Sequence, residues 1–116
     1  MTNEITADIC VIGGGSGGLS VAAGASQMGA DVVLLESGKM GGDCLNYGCV
    51  PSKAMIAAAH AAHAVRNADR FGVDAGEPSV DFEKVHDHVH GVIGAIAPHD
   101  SVERFEGMGV RVMQER

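Results

Sequence analysis

The chain has no tryptophan, one tyrosine and no run of basic residues, and these absences remove nucleic acid from its expected partners. Eight Lys and Arg stand against fifteen Asp and Glu, for a net charge of −7 at pH 7. Both the cationic stripe that grips phosphates and the aromatic faces that stack on bases are therefore missing. Long apolar runs are missing too. The 116 residues are 46% hydrophobic, enough for the core of one small domain. No uninterrupted stretch reaches the roughly 20 residues of a membrane-spanning helix, so no membrane partner is expected. The start, Met1-Thr2-Asn3-Glu4-Ile5, has an acidic residue and no basic leader, which makes the cytoplasm the expected compartment. Cysteine is scarce as well: three residues are too few and too oddly counted for a secreted disulfide scaffold. In a reducing compartment a close pair is more often catalytic or metal-binding, and without a second pair the metal reading is disfavoured.

What is present begins with order along the chain. Residues 6 to 12 form a short apolar run with β-branched members that ends at Gly13, as a buried parallel strand should; Cys10 within it is expected to be a buried strand residue without chemistry. Small and apolar residues at helical spacing from Ser16 to Met28 stop at Gly29, and Val32 to Leu35 read as a second buried strand closed by Glu36. Strand, helix and strand make a βαβ unit. A loop from Ser37 to Gly48 follows, then an alanine-rich helix from about Pro51 to Asp69, a loop over 70–80, a helix over 81–97 ended by Pro98, a brief helix over 101–106 and a strand at 110–113. No repeat or domain boundary interrupts this order.

Gly13-Gly14-Gly15-Ser16-Gly17-Gly18 fits G-x-G-x-x-G between a predicted strand and a predicted helix, the context in which the pattern carries meaning. The first glycine allows a tight turn, Gly15 lets a pyrophosphate approach the backbone, Gly18 lets helix and strand pack closely, and the helix N-terminus supplies an anion site. Glu36, at the end of the second strand, is placed to accept hydrogen bonds from ribose hydroxyls. The bland alternative is a glycine turn with a surface Glu.

Cys44 and Cys49 lie just downstream. In an unbroken helix residues five apart are separated by about 7.5 Å along the axis and roughly 140° around it, too far for a disulfide. If the two pair, the backbone between them must depart from a helix, and Asn46 and Gly48 are the residues expected to allow it through positive φ. Pro51 suits the first turn of the next helix, so Cys49 falls at a helix N-terminus, where the dipole favours a thiolate. Cys44 is then the better candidate for exchange with an outside thiol. Lys53, one turn in, adds positive charge if it points back. Structural thiols are the competing reading, weakened by the neighbouring dinucleotide loop, since a flavin can pass electrons to a nearby disulfide.

Over essentially all 116 residues the chain resembles the class I pyridine-nucleotide disulfide oxidoreductases, the family of dihydrolipoamide dehydrogenase, glutathione reductase and mercuric reductase. Gly41-Gly42-Asp43-Cys44-Leu45-Asn46-Tyr47-Gly48-Cys49-Val50-Pro51-Ser52-Lys53 carries the resemblance. It implies an α/β fold with a Rossmann-like FAD/NAD(P)-binding βαβ domain and a parallel sheet. Gly13, Gly15, Ser16, Gly17, Gly18, Glu36, Ser37, Gly41, Gly42 and Asp43 would line the FAD site, with Lys53 near the flavin ring. Cys49 would be the charge-transfer thiolate and Cys44 the interchange thiol of a redox disulfide, and Cys44, Cys49 and Lys53 would form the catalytic set. In the full-length enzyme NAD(P)H would reduce FAD, FAD the disulfide, and the dithiol an external disulfide, thiol-reactive or metal-ion acceptor such as lipoamide, glutathione or Hg(II); a homodimer is implied. The tail from Ala97 to Met113 looks most like the mercuric-reductase branch. Many members carry Thr where this chain has Asp43, and a carboxylate beside a pyrophosphate is repelled unless it points away or shares a cation.

A second glycine-rich loop and the terminal His-containing dimerisation segment are not among these residues. The expectation is accordingly that residues 1–116 are the N-terminal part of the FAD domain, inactive alone; the alternative is a non-catalytic nucleotide-binding or interaction module. Six histidines raise a metal question at His86 and His90, four apart, but His88 points elsewhere on a helix and a catalytic site needs three converging ligands, so they are read as solvated and no metal is expected. His60 and His63 read as surface or interface residues.

Overall fold

A short parallel sheet organises the chain. The computed structural model describes residues 3–116, so the part of the expected leaderless start that falls on Met1 and Thr2 lies outside the described residues. Strands β1 (Ile9–Ile12), β2 (Val32–Leu35) and β3 (Arg111–Met113) pair in that order, all parallel. Ile9 lies opposite Val32 and Leu35 opposite Met113. The fold is thus α/β with a parallel sheet, as the sequence implied. Helix α1 (Ser16–Gln27) links β1 to β2; α2 (Gly42–Asn46), α3 (Cys49–Arg66), α4 (Phe82–Ile96) and α5 (Val102–Gly107) lie between β2 and β3.

The core sits under one face of this sheet. Val11, Val32 and Leu34 project to the side where Leu19 and Ala22 of α1 meet Phe105 and Val110, and all seven are buried. The Ser26 hydroxyl donates to the Met108 carbonyl at 2.6 Å, tying α1 to the end of α5. Gly29 stops α1 with φ at +91°, as its position required.

The opposite face differs from expectation. Cys10 is exposed, and Ile12 is 85% exposed, so β1 is not the doubly buried strand that its apolar run suggested. Burial on both faces needs a helical layer on each side, and among the described residues the helices that pack on the sheet, α1 and α5, share the Val11 face. Three boundaries also move. The 37–48 loop contains the one-turn helix α2, α3 begins at Cys49 and gives way at Arg66 to a 3-10 turn over Ala68–Phe71, and Pro98 sits inside a 3-10 turn over Ala97–Asp100 after α4 has ended.

Helices α3 and α4 pack on one another as an arm beside the sheet. The described chain measures 70 × 28 × 18 Å with a radius of gyration of 20.2 Å, against about 13 Å for a compact domain of this length. Little of the arm is buried: Ala54 is the buried residue of α3 and Val89 that of α4. Asp81 caps α4, its carboxylate accepting from the N–H groups of Glu83 at 3.1 Å and Lys84 at 3.4 Å.

Candidate functional site

The glycine turn is built from the strand outward. Gly13 adopts φ of +106°, and its N–H donates to the Leu35 carbonyl at 2.7 Å, continuing the β1–β2 ladder by one residue. A Cβ at Gly18 would collide with the Gly13 carbonyl oxygen and lie 3.2 Å from Val11 Cγ1, which is the close helix–strand approach expected of that position. At Gly13 and Gly17 a Cβ would meet nothing within 4 Å. No side chain caps α1 at Gly15, so the first-turn N–H groups face outward with no internal partner.

Glu36 closes the turn from the other side. Its Oε2 accepts from the Gly14 N–H at 2.5 Å and its Oε1 from the Gly38 N–H at 2.9 Å. Gly14 is a position that motif reading passes over as an "x", yet it joins three segments: its N–H meets Glu36 and its carbonyl accepts from the Gly41 N–H at 2.8 Å. A Cβ there would approach Glu36 Oε2 to 3.0 Å and Met40 Sδ to 3.1 Å. The middle glycine of an unbroken Gly13-Gly14-Gly15 run was the available signal. Beside this turn a cleft of about 710 Å³ is lined by Ile12, Gly13, Leu35, Glu36, Ser37, Glu115 and Arg116. Glu115 and Arg116 carry no motif and are placed here by β3 alone.

The cysteine segment is fastened to the same turn. Gly41 and Gly42 have φ of +91° and +60°, and a Cβ on Gly42 would stand 2.7 Å from Gly15 Cα. Backbone therefore packs on backbone between the glycine turn and the start of α2. The departure from helix between the cysteines does occur, after Asn46, but not through positive φ at Asn46 or Gly48: among the described residues no non-glycine has positive φ, and Gly48 has φ of −121°. Gly48 is needed for space, since a Cβ would come within 2.9 Å of the Asp43 carbonyl oxygen. Asn46 acts through its side-chain amide, which donates to the carbonyls of Gly42 at 2.9 Å and Met40 at 3.2 Å.

Cys49 is the first residue of α3, and Pro51 lies in its first turn. Both thiols are free, with Cys44 in α2 and Cys49 opening α3 across the break between them. The Cys44 thiol is held above its ordinary range, first by a side-chain hydrogen bond with Cys49, then by lost hydration and by negative charge on Cys49. The Cys49 backbone N–H and the charge of Lys53 act in the opposite direction. Lys53 thus lies within electrostatic reach of the pair. Asp43 is exposed and enters no salt bridge among the described residues.

Other sequence candidates lie elsewhere. His86 and His90 have ring centroids 4.2 Å apart, and together with His88, His60 and His63 they are exposed. A cleft of about 790 Å³ runs along the arm between Ala57–Val65 and Pro78–His88 and is lined by no cysteine.

Comparison with known proteins gives one consistent result. A profile described as pyridine nucleotide-disulphide oxidoreductase matches residues 7–114. The chain is 42% identical over 110 residues to a dihydrolipoyl dehydrogenase of Halobacterium salinarum, covering 94% of this chain and 23% of that protein. It is 40% identical over 90 residues to a dihydrolipoyl dehydrogenase of Bacillus subtilis, covering 78% and 19%. To a mercuric reductase of Streptomyces lividans it is 49% identical over 76 residues, covering 65% and 16%. The chain spans about a fifth of the length of these curated relatives.

Proposed function

The chain belongs to the pyridine nucleotide-disulphide oxidoreductase family, and from this we propose that it holds the ADP half of FAD and carries the Cys44–Cys49 redox pair of an NAD(P)H-dependent reductase of disulfides or metal ions. Residues 1–116 would be the N-terminal part of the FAD domain, working in a homodimeric full-length enzyme. The observation that carries this reading is the backbone contact between Gly15 and Gly42, which brings the dinucleotide turn and the thiol pair into one site.

The residues present fit the cofactor. Gly13 and Gly17 leave open space where side chains would block a pyrophosphate, the uncapped start of α1 offers N–H donors to an anion, and Glu36 retains acceptor capacity on both oxygens beyond its two backbone donors. Gly13, Gly15, Ser16, Gly17 and Gly18 would take the pyrophosphate and Glu36 the ribose. Ser37, Gly41 and Gly42 would line the same cleft. When bound, the flavin supplies two-electron redox chemistry. The chain's own part is to position the sulfurs: Cys49, at the head of α3, would be the sulfur that faces the flavin, and Cys44 in α2 the thiol that meets an acceptor. Lys53 stabilises negative charge on the pair. Asp43 is exposed and pairs with no cation among the described residues, so its carboxylate would turn away from the pyrophosphate.

Anaerobic two-electron reduction of the FAD-loaded protein should produce a long-wavelength thiolate-to-flavin absorption that Cys49→Ser abolishes. Survival of that band in Cys49→Ser would overturn the assignment.

A further inference from the structure

Two of the chain's three lysines, Lys39 and Lys53, flank the cysteine pair in an otherwise acidic protein. Lys39 Nζ stands 5.5 Å from the centroid of the Tyr47 ring, and Tyr47, the single tyrosine, is 70% exposed although it lies between the two cysteines. Its N–H is anchored to the Asp43 carbonyl at 2.9 Å. A cation resting on an exposed ring is held there by the ring's quadrupole rather than by a carboxylate, so its charge stays unneutralised. Tyr47 follows Cys44 by three residues at the end of α2, which puts the two on neighbouring positions of one helical surface.

Building on the function proposed above, we propose that Lys39, seated on Tyr47, selects acceptors at Cys44 in favour of disulfides carrying negative charge close to the sulfur. Cys44 attacks such a disulfide, forming a mixed disulfide and releasing one thiolate. Cys49 then attacks the Cys44 sulfur, closing the Cys44–Cys49 disulfide and releasing the second thiolate. The dithiol loses two electrons, the acceptor gains them, and the two thiol protons pass to the departing thiolates or to water. Each thiolate leaves with more negative charge than a neutral acceptor would bring, and the Lys39 ammonium is the fixed countercharge. Asp43 opposes it from the start of α2, leaving two cations against one carboxylate.

The test uses the reduced protein in a Cys10→Ser background, because the exposed Cys10 thiol would also react. Stopped-flow rates with anionic dithiobis-nitrobenzoate and with neutral dithiodipyridine are each divided by the rate of mercaptoethanol with the same reagent. A nearby unit charge in water is worth roughly a few-fold in rate, so Lys39→Gln should slow the anionic reagent about threefold and leave the neutral one unchanged. Added salt should bring the parent down to the variant. Tyr47→Phe, which keeps the ring, should match the parent, Tyr47→Leu should fall toward Lys39→Gln, and Asp43→Asn should speed the anionic reagent. Equal slowing of both reagents, or no change with either, overturns the selection by Lys39. Mass detection of the Cys44–Cys49 disulfide after the neutral reagent separates the two claims: its absence removes the redox pair itself, whereas its presence without a charge preference removes only Lys39's role.

Discussion

At Gly18 a single methyl group decides whether strand, turn and helix can close. Gly18→Ala drives a Cβ into the Gly13 carbonyl and should cost about 1–3 kcal/mol as overpacking, read as a lower urea midpoint. Gly17→Ala, with nothing within 4 Å of its Cβ, should be neutral or gain up to about 1 kcal/mol of helix propensity. The pairing of those two outcomes separates crowding from loss of glycine as such. The cysteines give a second residue-scale expectation. Because Cys49 holds the Cys44 thiol up by hydrogen bond and charge, Cys49→Ala should move the alkylation midpoint of Cys44 to lower pH. The sign for folding follows: a thiol raised in the folded state contributes stability that is complete below the unfolded-chain value and is lost as pH rises through the folded one. Gly18 was legible in the sequence because its constraint is local to a known turn. Gly14 showed only as an extra glycine in its run and Gly48 was expected to serve through positive φ rather than space, since their crowding comes from Glu36, Met40 and Asp43, neighbours that only the folded chain supplies.

At the scale of elements, periodicity served where an element was long enough to have a period. Strand β2 and helices α1 and α4 fall within one or two residues of their expected limits, and α4 persists despite Gly91 and Gly94 because Asp81 caps it and Val89 is buried. Asp81→Ala should therefore cost about 1 kcal/mol, seen as a reduced denaturation midpoint with an unchanged slope. Helix α2 escaped notice because five residues make little more than one turn, too few to show a repeat. Strand β1 misled for a different reason: an apolar run shows that a residue is suited to burial, and not whether a second layer of helices is there to cover it.

For the molecule as a whole, the sheet with α1 and α5 holds the packed core while the α3–α4 arm contributes few buried side chains. Amide hydrogen exchange should accordingly be slowest in β2 and faster along α3 and α4. Uniform protection across arm and sheet would contradict that division. Phe105→Ala, at the centre of the core, should cost about 3–5 kcal/mol and abolish the slow-exchanging class.

The exposed side of β1 has a practical outcome for anyone handling this polypeptide. Among the described residues β1 bonds to β2 alone, so its outer row of amides and carbonyls is a ready template for another extended segment. Concentrated solutions should slowly deposit cross-β aggregates, and Ile12→Lys, which places a charge on that rim, should delay their appearance in a dye-binding time course.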